Sequence, residues 1–467
     1  MKWINFLHFY QPHNQQKDIL DRIVNESYKP LIEGLLERPE ACTVININGA
    51  LVRLLKDQGY DELLEGFRKL GREGLAEFTA SAMYHAFLPL LPKDEIKRQI
   101  NLNTQVNKEI LGDWFDPIGF FSPEMAINDK VLQVASEMGY KWVGAAEVAL
   151  EKGDVVGEGP PGIDGTLYKS GINNGENMDE IYVLFRNKRV SSLILSAVTR
   201  DSYTFFQEIE DLRGEISDVN SYCFTVMDAE TFGHHRIGHE KFLFELLDSS
   251  QMESLLAKDL ISLDLPEKKV EIRPSTWTNT EQDFWLDKEK TEKTSDRSFA
   301  LWKDPKNPIH ELQWKFVDYV LSLLEEARPD DISKEDLLSG SVGGVSGEKL
   351  DSVVEGEENE SPINCWLKAR LLMDKALASD QFWWASTNPW WSLEMIEQGA
   401  YQLKRVVEVL DPSEGQAKKA DKYYRKILDQ AFEWQRSGYI RQKHLDNSGT
   451  FMKKPFKERA PAEWYNQ

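Results

Sequence analysis

The chain has only three cysteines in 467 residues, Cys42, Cys223 and Cys365. They lie far apart and match no zinc or disulfide spacing, which excludes a disulfide-stapled fold and points to a reducing compartment. Cations are also short: 56 Lys and Arg stand against 78 Asp and Glu, a net charge of -22. Such a surface repels phosphate backbones and anionic lipids, so nucleic acid and membrane are not expected as partners. No apolar run approaches the length of a membrane helix, and the first residues enter a strand without a signal-peptide pattern. A cytoplasmic location is the expectation. Glycine-rich phosphate loops are missing after every candidate strand, which speaks against nucleotide chemistry. No internal repeat is visible.

Tryptophan, by contrast, is plentiful: 14 residues, several of them clustered (Trp277, Trp302, Trp383-Trp384, Trp390-Trp391). Aromatic faces of this kind stack on the CH-rich faces of sugars, and they also pack cores. Length predicts two or three domains. Over the first 300 residues, apolar runs alternate with helical spacing. Strands are expected at Ile4–Phe9, Thr43–Asn48, Ala76–Thr79, Ile118–Phe121, Trp142–Ala145, Tyr182–Phe185, Leu193–Ala197 and Tyr222–Met227. Amphipathic helices are expected between them, for example at Asp94–Leu111 and Asp129–Met138. This alternation of doubly buried strands and helices predicts a parallel α/β sheet, with a TIM-like barrel, complete or incomplete, ahead of an open doubly wound sheet. The spacing then turns helical, at Ile309–Arg328, Pro362–Ala378, Ser392–Leu410 and Pro412–Ser437. The domains are therefore placed at 1–304 (barrel) and 305–467 (α-helical bundle), with a flexible acidic, Gly/Ser-rich loop around 339–361.

Chemistry collects where strands end. Cys223-Phe-Thr-Val-Met-Asp228-Ala-Glu230-Thr-Phe-Gly-His-His235 is an apolar strand that runs into two carboxylates, a glycine and two histidines. Ile118-Gly-Phe-Phe-Ser-Pro-Glu124 repeats the design with one carboxylate. Two further strand ends carry His8-Phe-Tyr10-Gln11-Pro12-His13 and Glu77-Phe-Thr-Ala-Ser-Ala-Met-Tyr84-His85. Five of the eight histidines fall in these four segments, which is better explained by one shared pocket than by scattered core histidines. Carboxylates at two strand ends of one barrel are the minimum needed to cleave a glycosidic bond. The competing structural account is that Asp228 and Glu230 merely cap the following turn.

These four segments, with Arg273-Pro-Ser-Thr-Trp277 as a fifth and the aromatic Phe382-Trp-Trp-Ala-Ser386 region, resemble the conserved blocks of glycoside hydrolase family 57. That resemblance implies an incomplete (β/α)7 barrel followed by a helical bundle, and activity on α-glucans as a retaining hydrolase or transglycosidase. It implies Glu124 as nucleophile and Asp228 as general acid/base, with His8, Gln11, Glu77, Tyr84, His85, Glu230, His234, His235 and Trp277 around the substrate. It calls for no cofactor and no metal. Tyr10 departs from the family's usual histidine, and Ala86 from its usual proline. Neither change touches the carboxylates; both bear on subsite geometry.

Two other readings compete. His235 and His239, at i and i+4, have metal-ligand spacing, as in metal-dependent polysaccharide deacetylases; Gly238 weakens the helix this needs and Glu124 is left without a task. A non-catalytic glucan-binding protein on the same scaffold would usually have lost a carboxylate, and both are present. Two geometric expectations follow. His8, Gln11, His85, His234 and Trp277 should line one pocket, and the segment from Phe382 to Ser392 should pack near the barrel rim, with Ser392 as a helix N-cap.

Overall fold

The computed structural model describes residues 1–150, 154, 160–163, 165–173, 178–196, 199–210, 220–278, 298–338, 361–387 and 390–451. Ten strands occur among them: β1 (Lys2–Phe9), β2 (Thr43–Ile47), β3 (Ala76–Ala80), β4 (Gly119–Phe120), β5 (Trp142–Ala146), β6 (Leu167–Asn173), β7 (Met178–Arg186), β8 (Tyr222–Asp228), β9 (Glu253–Ser254) and β10 (Glu267–Val270). Neighbours along β7-β5-β4-β3-β2-β1-β8 are all parallel, and the pairing of Arg186 with Phe224 joins β7 to β8 and closes the ring. The result is the parallel barrel expected from the alternating pattern, with the seven strands that the family resemblance implies. Three strands lie outside it. β6 runs antiparallel beside β7, β10 pairs with β6, and β9 pairs with the start of β1.

Side-chain alternation sorts every barrel strand into two faces. Ile4 and Phe6 of β1, Val44 of β2, Leu184 of β7 and Phe224 and Val226 of β8 fill the barrel interior with Phe121 and Trp142. Trp3, Leu7 and Phe9 of β1, Ile45 and Ile47 of β2 and Cys223 and Met227 of β8 point outward. They pack on Leu31, Leu35, Leu51, Leu55, Leu64 and Phe67 of the surrounding helices. Each such residue contributes about 1.5–3 kcal/mol on burial, so both faces of a strand are apolar and the run reads as continuous. The same alternation, carried to the strand ends, turns His8, Asn46, Thr79, Arg186 and Asp228 inward above the apolar layers.

Two helices that position the site match the sequence closely, Lys93–Leu111 and Asp129–Glu137, the second capped by Asn128 accepting from the Val131 amide at 3.1 Å. One expected strand is a helix instead. The apolar run at Leu193–Ala197 begins instead with Leu193 and Ile194 at the end of helix Lys188–Ile194, which Asn187 caps by accepting from the Val190 amide, and Ala197 lies outside the described residues. A short buried run has no periodicity of its own, and the Asn187 cap decides for helix. β6 and β10 escape the sequence reading for the opposite reason. Leu167-Tyr-Lys-Ser-Gly-Ile-Asn and Glu267-Lys-Lys-Val are polar, and they pair through charge, with Lys169 at 2.7 Å from Glu267.

The described residues form two compact units. One comprises Met1–Met83 and Leu88–Trp277; the other comprises Tyr84–Phe87 and the described residues from Thr278 onward. The second unit is helical: Pro308–Glu326, Pro362–Ala376, Leu393–Val409, Glu414–Arg436 and Tyr439–Phe451 are its longer helices. Their starts are written in the sequence. Asn307, Ser361, Ser392 and Ser413 each accept a first-turn amide, and Pro308 and Pro362 occupy the first turn, where the missing N–H costs nothing. Phe382 is buried and stacks on Trp314 with centroids 4.2 Å apart. Trp383, Trp384 and Trp390 form a half-exposed cluster beside it. The Gly/Ser-rich acidic stretch lies outside the described residues, apart from Ser361. Among the described residues no helix is long and apolar enough to cross a membrane.

Candidate active site

At the C-terminal rim of the barrel, β1, β2 and β3 present an inward row of polar side chains. His8 Nδ1 meets Asn46 Oδ1 at 2.8 Å, and Asn46 Nδ2 donates to Thr79 Oγ1 at 3.0 Å. Because the amide's NH2 is committed to Thr79, its oxygen faces the histidine, so Nδ1 carries the ring hydrogen. Burial drops the His8 pKa to about 4, and the ring is neutral near pH 7. Asp228, the last residue of β8, stands directly beside His8 across the β1–β8 ladder.

Glu124 arrives from β4. It sits in the tight turn Pro123–Met125 with φ 62° and ψ 17°, and Met125 follows with φ 46°. Consecutive non-glycine residues in the left-handed region cost about 1–3 kcal/mol each, a strain found where a side chain must be aimed. The segment after β10 holds it there. Ile127 and Ser275 exchange backbone bonds of 2.9 and 3.1 Å, the Trp277 amide donates to the Glu124 carbonyl at 3.2 Å, and Trp277 Nε1 donates to Glu124 Oε2 at 2.8 Å. The Trp277 ring also lies 5.9 Å from His8 and 6.0 Å from Phe121. Contacts thus run from Glu124 through Trp277 to His8, the neighbour of Asp228.

The third carboxyl, Glu230, is 7% exposed in the turn after β8. Gln11 Nε2 donates to its Oε1 at 2.9 Å, and the Tyr28 hydroxyl donates to the same oxygen in a short bond. Tyr28 comes from a π-helical turn, Val24–Tyr28, that packs on this loop, with Ser27 Oγ donating to the Ala229 carbonyl at 2.7 Å. Gly233 makes that approach possible: its φ is 112°, and a Cβ there would fall 1.8 Å from the Glu26 carbonyl oxygen. His234 Nδ1 lies 2.5 Å from Glu26 Oε2, and the His235 amide donates to the Glu230 carbonyl at 2.9 Å. Electrostatically this is an acid-holding site. Burial raises Asp228 to about 6, against a smaller opposing pull from Arg186. Burial and then the Asp228 charge raise Glu230 to about 7.

The structure therefore brings Glu124, Asp228, His8, Gln11, Glu230 and Trp277 together, with His234 and His235 on the adjoining loop. It does not bring Glu77. On β3 Glu77 pairs with Val44, two residues below the His8–Asn46–Thr79 row. Its oxygens accept from Trp142 Nε1 at 2.8 Å and the Lys258 amide at 2.7 Å, which makes it an internal anchor rather than a rim residue. Tyr84 and His85 belong to the second unit. There His85 adopts φ 55°, its Nδ1 lies 3.0 Å from Ser379 Oγ, and its carbonyl accepts from the Ser379 amide at 3.1 Å. The i, i+4 histidine pair also dissolves. Gly238, with φ 78°, starts helix His239–Leu247 after His235, and His239 Nε2 donates to the Ile194 carbonyl at 2.6 Å. The two rings share no helical face, and the metal reading loses the spacing that supported it.

Tyr28, Asn46, Thr79 and Arg186 were not singled out in the sequence. Asn46 and Thr79 had a signal, a polar residue at inward parity near the end of an apolar strand. Arg186 Nε donates to the Val226 carbonyl at 2.9 Å from the same parity on β7. Tyr28 had none, since Asn-Glu-Ser-Tyr reads as an ordinary stretch of helix.

The model of "Glycosyl hydrolase family 57" matches residues 2–273. An alpha-amylase of Pyrococcus abyssi is 27% identical over 146 residues, and a 4-alpha-glucanotransferase of Thermococcus litoralis is 26% identical over 136. These segments are 31% and 28% of this chain, but only 22% and 19% of those proteins, so the chain spans about a fifth of the curated relatives it matches. Among solved structures, an exo-type maltose-forming amylase from Pyrococcus sp. ST04 superposes with a TM-score of 0.64 at 13% identity, over 100% of this chain and 88% of that one. A family 57 branching enzyme from Pyrococcus horikoshii gives 0.59 at 14%, over 91% and 94%. At such identities these two establish the fold.

Proposed function

The chain belongs to glycosyl hydrolase family 57, and from that premise we propose that it cleaves or transfers α-glucosidic bonds with retention of configuration. The substrate class is α-glucan: starch, glycogen or maltooligosaccharide. One observation carries the reading: the aimed Glu124 carboxylate, bonded to Trp277, connects through His8 to an Asp228 whose proton affinity burial has raised. One group then serves as nucleophile and the other as acid.

In the first step Glu124 attacks the anomeric carbon as the glycosidic C–O bond breaks, and the Asp228 proton passes to the departing oxygen. A glycosyl ester on Glu124 results. In the second step Asp228 takes a proton from water or from a sugar hydroxyl, whose oxygen displaces Glu124. Neutral His8 and Gln11 hydrogen-bond the sugar without adding charge beside the acid, and the Trp277 N–H orients the nucleophile. The deacetylase and non-catalytic readings give Glu124 no comparable part.

Chromatography of products from maltooligosaccharides and starch tests this. Wild type should give shortened or redistributed chains. Glu124→Gln should lose about 10⁴-fold or more in kcat while keeping its melting temperature. Full turnover by Glu124→Gln would refute the assignment. Turnover lost by chelation and restored by zinc would return the metal reading.

A further inference from the structure

Aromatic rings gather at one place on the surface of the helical unit. Trp391 directly precedes the Ser392 cap, Trp434 lies in the last turn of helix Glu414–Arg436, and Tyr439 opens helix Tyr439–Phe451. Gly438, with φ 78°, allows the sharp turn between those helices that sets Tyr439 against Trp434. The Trp391 and Trp434 centroids are 6.0 Å apart, and those of Trp434 and Tyr439 4.8 Å. Both indoles are half-buried and Tyr439 is exposed. Trp391 also walls a cleft of about 450 Å³ with Gln435, Ile440, Arg441, His444 and Leu445. That volume suits a small-molecule ligand. A contiguous row of rings left at the surface marks an interaction site.

The polar groups of the cleft identify the chemistry. Trp391 Nε1 donates to Gln435 Oε1 at 2.6 Å, which steadies the indole and leaves the Gln435 NH2 as a donor. Arg441 and His444 are exposed, three residues apart on one helix, and neither has a partner among the described residues. No described lining side chain is a carboxylate, in a chain with 78 of them, so a cationic ligand is not served. A protein-docking patch keeps an apolar centre inside a polar rim, whereas here donors share the cleft with the rings. Apolar rings edged by hydroxyl-binding donors suit a sugar, whose faces carry C–H and whose edges carry O–H. The aromatic planes are inclined by 47° and 33° in succession. Such a bent row follows α-1,4-linked glucose, which turns from ring to ring, better than a β-1,4-linked chain, which is a flat ribbon.

We propose that this cleft, with the Trp391–Trp434–Tyr439 row, is a second carbohydrate site that holds a length of α-glucan without cleaving it. Among the described residues no carboxyl group lines it that could act as acid or nucleophile. The choice of α-glucan rests on the proposed activity; the site itself is built by the helical unit alone. Its effect is one of local concentration. A polymer held here keeps its other segments near the same molecule, whereas a short oligosaccharide gains nothing.

The test is native electrophoresis of the full chain through gels containing glycogen, with Glu124→Gln as the parent so that the polymer survives. Trp434→Ala should weaken the apparent affinity for glycogen by about tenfold or more. Arg441→Ala combined with His444→Ala, which alters only exposed side chains, should weaken it by about threefold or more. That pair decides the matter if Trp434→Ala fails to fold. With Glu124 restored, the same changes should raise KM for glycogen and leave kcat and KM for maltotriose unchanged. Retardation equal to the parent's in the folded variants overturns the proposal, as does an equal rise in KM for maltotriose. A change in sedimentation with glycogen binding intact also overturns it, and makes the cleft a face for a second copy of the chain. Glycogen binding that falls in the variants of a protein that turns over no glucan upholds the site and overturns the glycosidase reading instead.

Discussion

At the residue scale, Asp228 shows what a buried carboxyl costs the fold. Burial raises its pKa from the ordinary 3.8 to about 6, so the folded state binds this proton more tightly than the unfolded chain. The stability this proton supplies is complete below about pH 3.8 and is lost as pH rises through about 6. Above that range the ionised carboxylate is a liability of about 2–3 kcal/mol. Asp228→Asn has no charge to bury. It should therefore melt several degrees above wild type at pH 8, with the gap closing toward pH 4, as read by calorimetry across that range. An equal gap at every pH would mean that the substitution changes packing instead of removing a buried charge. The sequence singled out Asp228 and Glu124 because an isolated carboxylate ending an apolar strand has few structural uses. It misassigned Glu77, which has the same surroundings in sequence. Glu77 lies at the start of its strand and Asp228 at the end of its own, and only pairing register separates the two layers.

At the scale of elements, the barrel was legible because its strands bury both faces, and continuous apolar runs survive any register. The helix at Lys188–Ile194 was not legible, since a short buried run looks alike in either conformation until its cap is seen. Nor was the π-helical turn that delivers Tyr28 and Glu26, whose contacts with the β8 loop span some two hundred residues of sequence. That packing depends on Gly233, with its left-handed φ of 112° and no room for a Cβ against the Glu26 carbonyl. Gly233→Ala must either shift this turn or distort the loop, at about 2–4 kcal/mol. The expected result, by denaturant titration and kinetics together, is a lower unfolding midpoint and a kcat/KM loss larger than the stability change explains, because Tyr28 leaves Glu230. A variant with wild-type stability and activity would show that the close approach is unimportant.

At the scale of the whole molecule, the sequence separated a barrel from a helical region, and both units are present. It expected the division near residue 304; the compact units instead divide after Trp277, with Tyr84–Phe87 grouped with the helices. The reason is physical: Trp277 is bonded to Glu124 in the barrel, and the backbone at His85 and Ala86 pairs with Ser379 and Ala378. Such pairings join residues about 150 and 300 positions apart, beyond the reach of any local pattern. If Glu124 and Asp228 work as a retaining pair, the configuration at the anomeric carbon is kept, and the anomeric form of the first product reveals it. Proton NMR of a maltooligosaccharide digest, recorded before mutarotation, should show the α-anomer accumulating first. First release of the β-anomer would show inversion and rule out Glu124 and Asp228 as a retaining pair.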